Sequence, residues 1–91
     1  MADDNIINFQ YFIKNPNNSD EACAKMLVTI VDHYLGLCQK YSFMQNDYKS
    51  QIRKAINSLS NGRNSAYPQA MKTLERDHLG LLREIKIYGY N

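Results

Sequence analysis

The spacing of apolar residues between positions 19 and 41 constrains the fold more than any other feature of this sequence. These residues follow one another at intervals of 4, 3, 4, 3 and 4 positions: Cys23, Leu27, Ile30, Tyr34, Leu37 and Tyr41. At about 100° per residue they fall within an arc of about 80°, which is typical of an amphipathic helix. Ser19 is a good N-cap, and two acidic residues follow it. The pattern predicts a long central helix over about 20–43.

Three further segments have helical periodicity, and they span about residues 3–14, 47–60 and 66–87. Pro16 disfavours helix in the residue before it, so it should end the first segment. Asp47 is expected to cap the third segment, and Asn61-Gly62 to end it in a left-handed conformation. No strand or hairpin signal appears. The sequence predicts a single all-α domain over 1–91, a small up-and-down bundle of three main helices plus a short N-terminal helix.

The last helix has a histidine within its apolar seam. The predicted seam consists of Tyr67, Met71, Leu74, His78, Leu81, Ile85 and Tyr88. Because Arg76 and Asp77 point well away from this arc, only Glu75 is expected within reach of the imidazole. We therefore predict that His78 is a hydrogen-bonded residue of the core or of an interface, with no catalytic role.

The remaining reactive side chains do not form a recognisable chemical site. On one helix, Cys23 and Cys38 would lie about 22 Å apart, too far for an intramolecular disulfide. Two histidines and two cysteines scattered singly lack the spacing of a zinc site. No nucleophile has a base and an orienting group beside it, and no phosphate-binding loop is present. We predict no catalytic residue, no metal, no cofactor and no enzymatic activity.

Charge is distributed unevenly along the chain. Residues 1–47 carry three bases and six acids, a net charge of −3, whereas residues 48–91 carry eight bases and three acids, a net charge of +5. The outward residues of the last two helices and their loop form a candidate surface for a partner protein or for nucleic acid. Its members are Lys49, Arg53, Lys54, Arg63, Lys72, Arg76, Gly80 and Arg83. Gly80 is included because an outward glycine permits close approach of another backbone.

The first helix is apolar on two faces. Ile6, Phe9 and Ile13 share one face, while Ile7 and Tyr11 lie on another. A helix with two apolar faces often contacts more than its own core, so Ile7 and Tyr11 form a second candidate interface. The alternating spacing of the longer helices also permits pairing between chains, which makes a homo-oligomer plausible.

These features favour a small non-catalytic interaction module that binds a partner protein and inhibits or adapts it. Abundant Asn, Lys and Ile with no Trp favour a phage or mobile-element accessory protein of the anti-defence type. The alternatives are a nucleic-acid-binding protein that uses the basic face of residues 48–86, and an enzyme or anion binder built from Tyr11, Lys25 or Arg63 at an oligomer interface. Acidic residues near the N-terminus and short apolar runs predict a cytoplasmic protein with no membrane segment.

Overall fold

The computed structural model describes the backbone of residues 2–85 and the side chains of residues 6–85. The helices are α1 (Ala2–Lys14), α2 (Asp20–Lys40), α3 (Gln45–Gly62) and α4 (Tyr67–Ile85). A short 3₁₀ turn, Ser42–Met44, connects α2 to α3. Residues 2–85 contain no strand. The predicted all-α class is confirmed, and the predicted ends at Ile87 and Tyr88 lie outside the described residues.

The helices share one apolar core. α2 and α3 have the most extensive contact, and α1 and α4 each pack against both of them but not against each other within the described part of the chain. The largest fully buried side chains come from all four helices: Tyr34, Phe9, Leu27, Ile52, Ile56, Leu59, Leu74 and Leu82. The predicted inward face of α1 is confirmed, because Ile6, Phe9 and Ile13 are all buried.

Contacts between side chains fix the directions of the helices. The Gln10 amide donates to the Ser58 hydroxyl at 3.2 Å, and Ile13 lies beside Gly62 further along both helices. α1 and α3 therefore run in the same direction. Lys49, near the start of α3, pairs with Glu84, near the end of α4, so these two helices run in opposite directions.

The predicted start of α2 is confirmed, but its predicted end is wrong. The Ser19 hydroxyl accepts a hydrogen bond from the Ala22 amide at 3.0 Å, as an N-cap should. α2 ends at Lys40, and Tyr41 adopts a non-helical backbone whose N–H donates to the Leu37 carbonyl. Tyr41 is consequently partly exposed rather than part of the core seam. The 3₁₀ turn Ser42–Met44 follows directly and connects α2 to α3.

The predicted boundaries of α3 also differ from those observed. The helix begins at Gln45, Met44 occupies the N-cap position without a side-chain bond, and Asp47 lies in the first turn. At the other end Gly62 is still helical, and Arg63 ends the helix with φ −150°. The predicted left-handed stop is wrong. The glycine serves close packing instead, since a Cβ at position 62 would lie 2.8 Å from Ile13 Cδ1.

Arg63 ties the α1–α2 loop to the end of α3. Its guanidinium donates to the backbone carbonyls of Ile13 at 2.8 and 3.2 Å, Asn15 at 3.0 Å and Asn18 at 2.7 Å. It also pairs with the Asp20 carboxylate at 3.2 Å. The last carbonyls of a helix have no partner within the helix, and Arg63 supplies one for α1. We call these contacts the Arg63 clamp, and they hold the α1–α2 loop against the end of α3.

The carboxyl of Asp20 gives this region a testable pH dependence. Hydrogen bonds from Ser65 and then from Arg63 hold the pKa of Asp20 below its usual value of 3.8. A depressed folded-state pKa stabilises the fold above the unfolded pKa, and this stabilisation is lost as pH falls through the folded pKa. We expect Asp20→Asn to lower the free energy of unfolding at neutral pH, with the deficit shrinking as pH falls below 3.8.

Urea unfolding of wild type and Asp20→Asn across this range measures the difference. Asp47→Asn is the control, because Asp47 is exposed and makes no ion pair within the described residues. The Asp47 variant should remain close to wild type at neutral pH. A deficit for Asp20→Asn that stays constant from neutral to acidic pH would contradict the assigned role of the carboxylate.

Candidate interaction surfaces

His78 lies at a kink in α4, partly exposed at the surface. Its backbone angles, φ −140° and ψ 40°, interrupt the helix. The imidazole Nε2 lies 3.1 Å from Asp32 Oδ1 of α2. Beyond the kink the phase of the helix shifts, so that Leu82 is fully buried and Leu81 only partly. His78 is hydrogen-bonded, as predicted, and it contacts the neighbouring helix α2, but it is only partly buried. The prediction that only Glu75 could reach the imidazole is wrong, because its partner is Asp32.

The cysteines are small core residues rather than a reactive pair. Cys23 and Cys38 are free and buried, and burial raises the pKa of both thiols. Since the thiolate is the nucleophilic form, a raised pKa lowers their reactivity at neutral pH. Within residues 6–85 no cluster of three or more His, Cys, Asp or Glu side chains could hold a metal ion.

Three of the predicted surface cations have intramolecular partners. Lys49 pairs with Glu84, and Arg76 forms a two-point contact with its neighbour Asp77 at 2.9 and 3.2 Å. Arg63 makes the contacts of the Arg63 clamp, and its side chain is only 17% exposed. An acidic protein or a phosphate would have to displace these contacts before it could use the three charges.

The other four predicted cations make no ion pair within the described residues: Arg53, Lys54, Lys72 and Arg83. Lys72 and Arg83 lie on opposite sides of the α4 kink, about 16 Å apart along the helix. Gly80 is exposed, and a Cβ built there would meet no atom within 4 Å. Its place on an open face is as predicted, but within the described part of the chain no side chain packs against it.

α1 exposes large apolar side chains on a helix whose opposite face is buried. Ile7 is 47% exposed and Tyr11 is 70% exposed. The two residues are one turn apart and therefore lie side by side on the helix. The two-faced character predicted for the first helix is present in the structure.

A groove between α1 and α3 lies beside this pair. Its first cavity, of about 270 Å³, is lined by Ile6, Ile7, Gln10, Gln51 and Lys54. Its second cavity, of about 370 Å³, is lined by Gln10, Ile13, Lys14, Ser58, Asn61 and Gly62. Both cavities share Gln10, so we treat them as one α1–α3 groove. The structure thus places Lys54, predicted for the basic surface, next to Ile7, predicted for a separate interface.

One polar atom at this groove lacks an internal partner. The side-chain oxygen of Gln51 is buried and accepts no hydrogen bond from any residue that the structure describes. Buried polar atoms are usually hydrogen-bonded, since an unsatisfied one is costly. Gln51 lines the same cavity as Ile7 and Lys54, although its unsatisfied oxygen is itself buried beneath the cavity surface.

An exposed aromatic pair at the α2–α3 turn was not predicted. Phe43 is 84% exposed, and its ring meets the Tyr41 ring edge-on with centroids 6.3 Å apart. The Lys40 ammonium lies 5.4 Å from the centroid of Tyr41. In the sequence, Tyr41 and Phe43 stand at the end of the α2 pattern. Because the helix was expected to continue to about residue 43, the exposure of these two rings was not predicted.

Another groove, of about 420 Å³, separates α2 from α4. Small side chains form much of its lining, including Ala24, Thr29, Ala70 and Thr73. Its two charged residues, Glu21 and Lys25, are paired with each other at 3.3 Å. This groove therefore presents a neutralised charge pattern, unlike the α1–α3 groove.

Comparisons of the chain with protein-family models, with curated proteins and with solved structures found no match. Among the described helices, none is both long enough and apolar enough to cross a membrane.

Proposed function

We propose that this chain is a protein-binding module and that its main contact surface is formed by α1 and the adjoining α3 residue Lys54. We call Ile7, Gln10, Tyr11 and Lys54 the α1 surface. The observation that carries the proposal is the pair of exposed apolar side chains, Ile7 and Tyr11, on a helix anchored to the core by its other face. A buried partner contact would remove these groups from water.

The chemistry of the α1 surface supports a protein partner. Tyrosine combines a large apolar ring with a hydroxyl, and it is enriched among the residues that dominate binding energy. Ile6, Phe9 and Ile13 hold α1 against the core, so the surface is already ordered before binding. A preformed helix face loses less conformational entropy on association than a mobile loop does.

The role we propose for the module is inhibition or adaptation of its partner, in which binding covers a partner surface or links it to another protein. The amino-acid bias of the chain supports a source in a phage or mobile element, where such a module would act against a host defence complex. The proposed compartment is the cytoplasm.

Affinity capture from the cells that naturally produce the chain tests the proposal. Replacing Ile7 with Asp and Tyr11 with Ser together should reduce partner recovery by at least about tenfold, because interface anchors commonly contribute more than about 1 kcal/mol each. Leu79→Asp is the matched control, since Leu79 is also partly exposed but lies on α4. Recovery that is unchanged in the α1 variant would refute the proposed surface.

Nucleic-acid binding is the second candidate, favoured by the four cations that have no ion pair within the described residues. Charge reversal at Arg53 and Arg83 should then abolish a salt-dependent mobility shift of labelled DNA or RNA, because phosphate contacts release counterions. Absence of any shift at low salt would eliminate this candidate.

Size measurement of the purified chain at several concentrations separates both functions from simple homo-oligomer formation.

A further inference from the structure

We infer that the occupant of the α1–α3 groove is an acidic amphipathic helix of a partner protein. The inference rests on the proposed function and specifies the chemistry of the partner. Three properties of the groove support it: its apolar floor, its unbalanced positive charge and its unsatisfied hydrogen-bonding capacity.

The groove has the shape and floor that an apolar helix face requires. The two cavities of the groove adjoin at Gln10, which lines both of them, and the Gln10–Ser58 hydrogen bond joins the two helices between them. Ile6 and Ile13 form its buried floor and Ile7 its partly exposed edge. Ile6 and Ile13 are seven residues apart, about 10 Å along α1, which matches two turns of a bound helix. A helix in a groove is anchored by apolar residues at such spacings.

The charge of the groove favours carboxylates on that helix. Lys14 on α1 and Lys54 on α3 line it, and neither forms an ion pair within the described residues. No Asp or Glu lines either cavity. The α2–α4 groove differs, because its lysine is already paired with Glu21. A ligand with carboxylates flanking its apolar face would therefore match the α1–α3 groove and gain no equivalent contact in the other.

Polar side chains along the groove supply the remaining contacts. Asn61 lines its wall, whereas Gln10 and Ser58 are hydrogen-bonded to each other and would have to exchange that contact. The Gln51 oxygen has no hydrogen-bond partner within the described residues. A donor from the bound helix, such as a serine hydroxyl, would satisfy that oxygen once the Gln51 amide turns toward the groove. Such a contact would favour a ligand that is polar at its edge over a purely apolar one.

The test uses two synthetic 18-residue helices with the same leucines at i, i+3, i+4 and i+7, one with glutamate and the other with lysine at the positions that flank the leucines, and both with alanine and glutamine elsewhere. Each is titrated into the full isotope-labelled chain and followed by amide chemical shifts. The acidic peptide should bind and shift the resonances of Ile7, Gln10, Lys14 and Lys54. The basic peptide should bind at least about tenfold more weakly.

Charge reversal sharpens the result. Lys14→Glu combined with Lys54→Glu should reverse the preference in favour of the basic peptide. Lys72→Glu is the matched control, because Lys72 is an exposed lysine on α4 outside the groove, and it should keep the wild-type preference. Thermal unfolding of each variant verifies that the fold is retained.

Several outcomes would overturn the inference. They are equal binding of both peptides, no binding of the acidic one, and shifts centred on Phe43 or on the α2–α4 groove. If the amide resonances of the groove residues change with protein concentration alone, the groove would be assigned to a second copy of the chain. If they change on addition of RNA, it would be assigned to nucleic acid. If Lys14→Glu with Lys54→Glu leaves natural partner capture intact while the Ile7 and Tyr11 variant abolishes it, the acidic class fails and the proposed function stands.

Discussion

Replacement of Arg63 by alanine should lower the free energy of unfolding by about 2–4 kcal/mol. The guanidinium donates to three backbone carbonyls, that of Ile13 at the end of α1 and those of Asn15 and Asn18 in the α1–α2 loop. Alanine would leave these acceptors without their donor, and a partly buried unsatisfied carbonyl is costly. A chain of this size has a total stability of only about 5–10 kcal/mol, so urea unfolding followed by circular dichroism would show a large shift.

Two further variants distinguish the clamp from a general effect of charge. Arg63→Lys keeps the positive charge but cannot present donors in the planar fork that reaches separate carbonyls, so it should recover less than half of the loss. Arg53→Ala removes an exposed arginine with no described ion pair, and it should change stability by no more than about 0.5 kcal/mol. Equal stabilities for Arg63→Ala and Arg53→Ala would show that the clamp contributes nothing.

Leu27→Ala should be strongly destabilising, lowering the free energy of unfolding by about 3–5 kcal/mol. Leu27 is fully buried in α2, which, like α3, contacts every other helix. Truncation removes apolar area from the core and leaves a cavity that rigid neighbours fill only partly. The melting temperature should fall by more than about 10 °C.

Leu79→Ala is the matched control for this truncation, since it deletes the same atoms from a residue that is 37% exposed on α4. It should cost less than about 1 kcal/mol. If both variants lose the same stability, the packing around Leu27 is looser than the structure indicates, and the assignment of α2 as the central helix would have to be revised.

The long helical patterns were predictable because a buried helix face requires an apolar residue at every turn. Cys23, Leu27, Ile30 and Tyr34 are all buried, as their spacing predicted. The predicted seam is wrong at Tyr41, because the position of that side chain depends on how the chain turns into α3 and not on helical periodicity. A repeated pattern identifies the body of a helix, while its end depends on the geometry of the following turn.

Contacts between distant residues could not be predicted from spacing. The acceptors of Arg63 are backbone carbonyls 45–50 residues away, and any sequence offers such acceptors at every position. The same limit applies to His78, whose partner Asp32 lies 46 residues away on another helix. No proline marks the kink that shifts burial from Leu81 to Leu82, so the sequence did not predict this kink.

The α1 surface was predictable in its parts but not as a whole. The two-faced pattern of the first helix identified Ile7 and Tyr11, and the charge distribution identified Lys54 among eight positions. Only the packing of α1 against α3, fixed by buried residues such as Ile13 and Leu59, places Lys54 beside Ile7. Phe43 was missed because its exposure results from the early end of α2.

The most direct test of the central claim is photo-crosslinking in the cells that naturally produce the chain. A photoreactive phenylalanine analogue would replace Tyr11 in one variant and Leu79 in another, and each product would be identified by mass spectrometry. The proposed function predicts one defined protein adduct at position 11 and none at position 79. An adduct of that same protein at position 79 and none at position 11 would contradict the claim that α1 forms the binding surface.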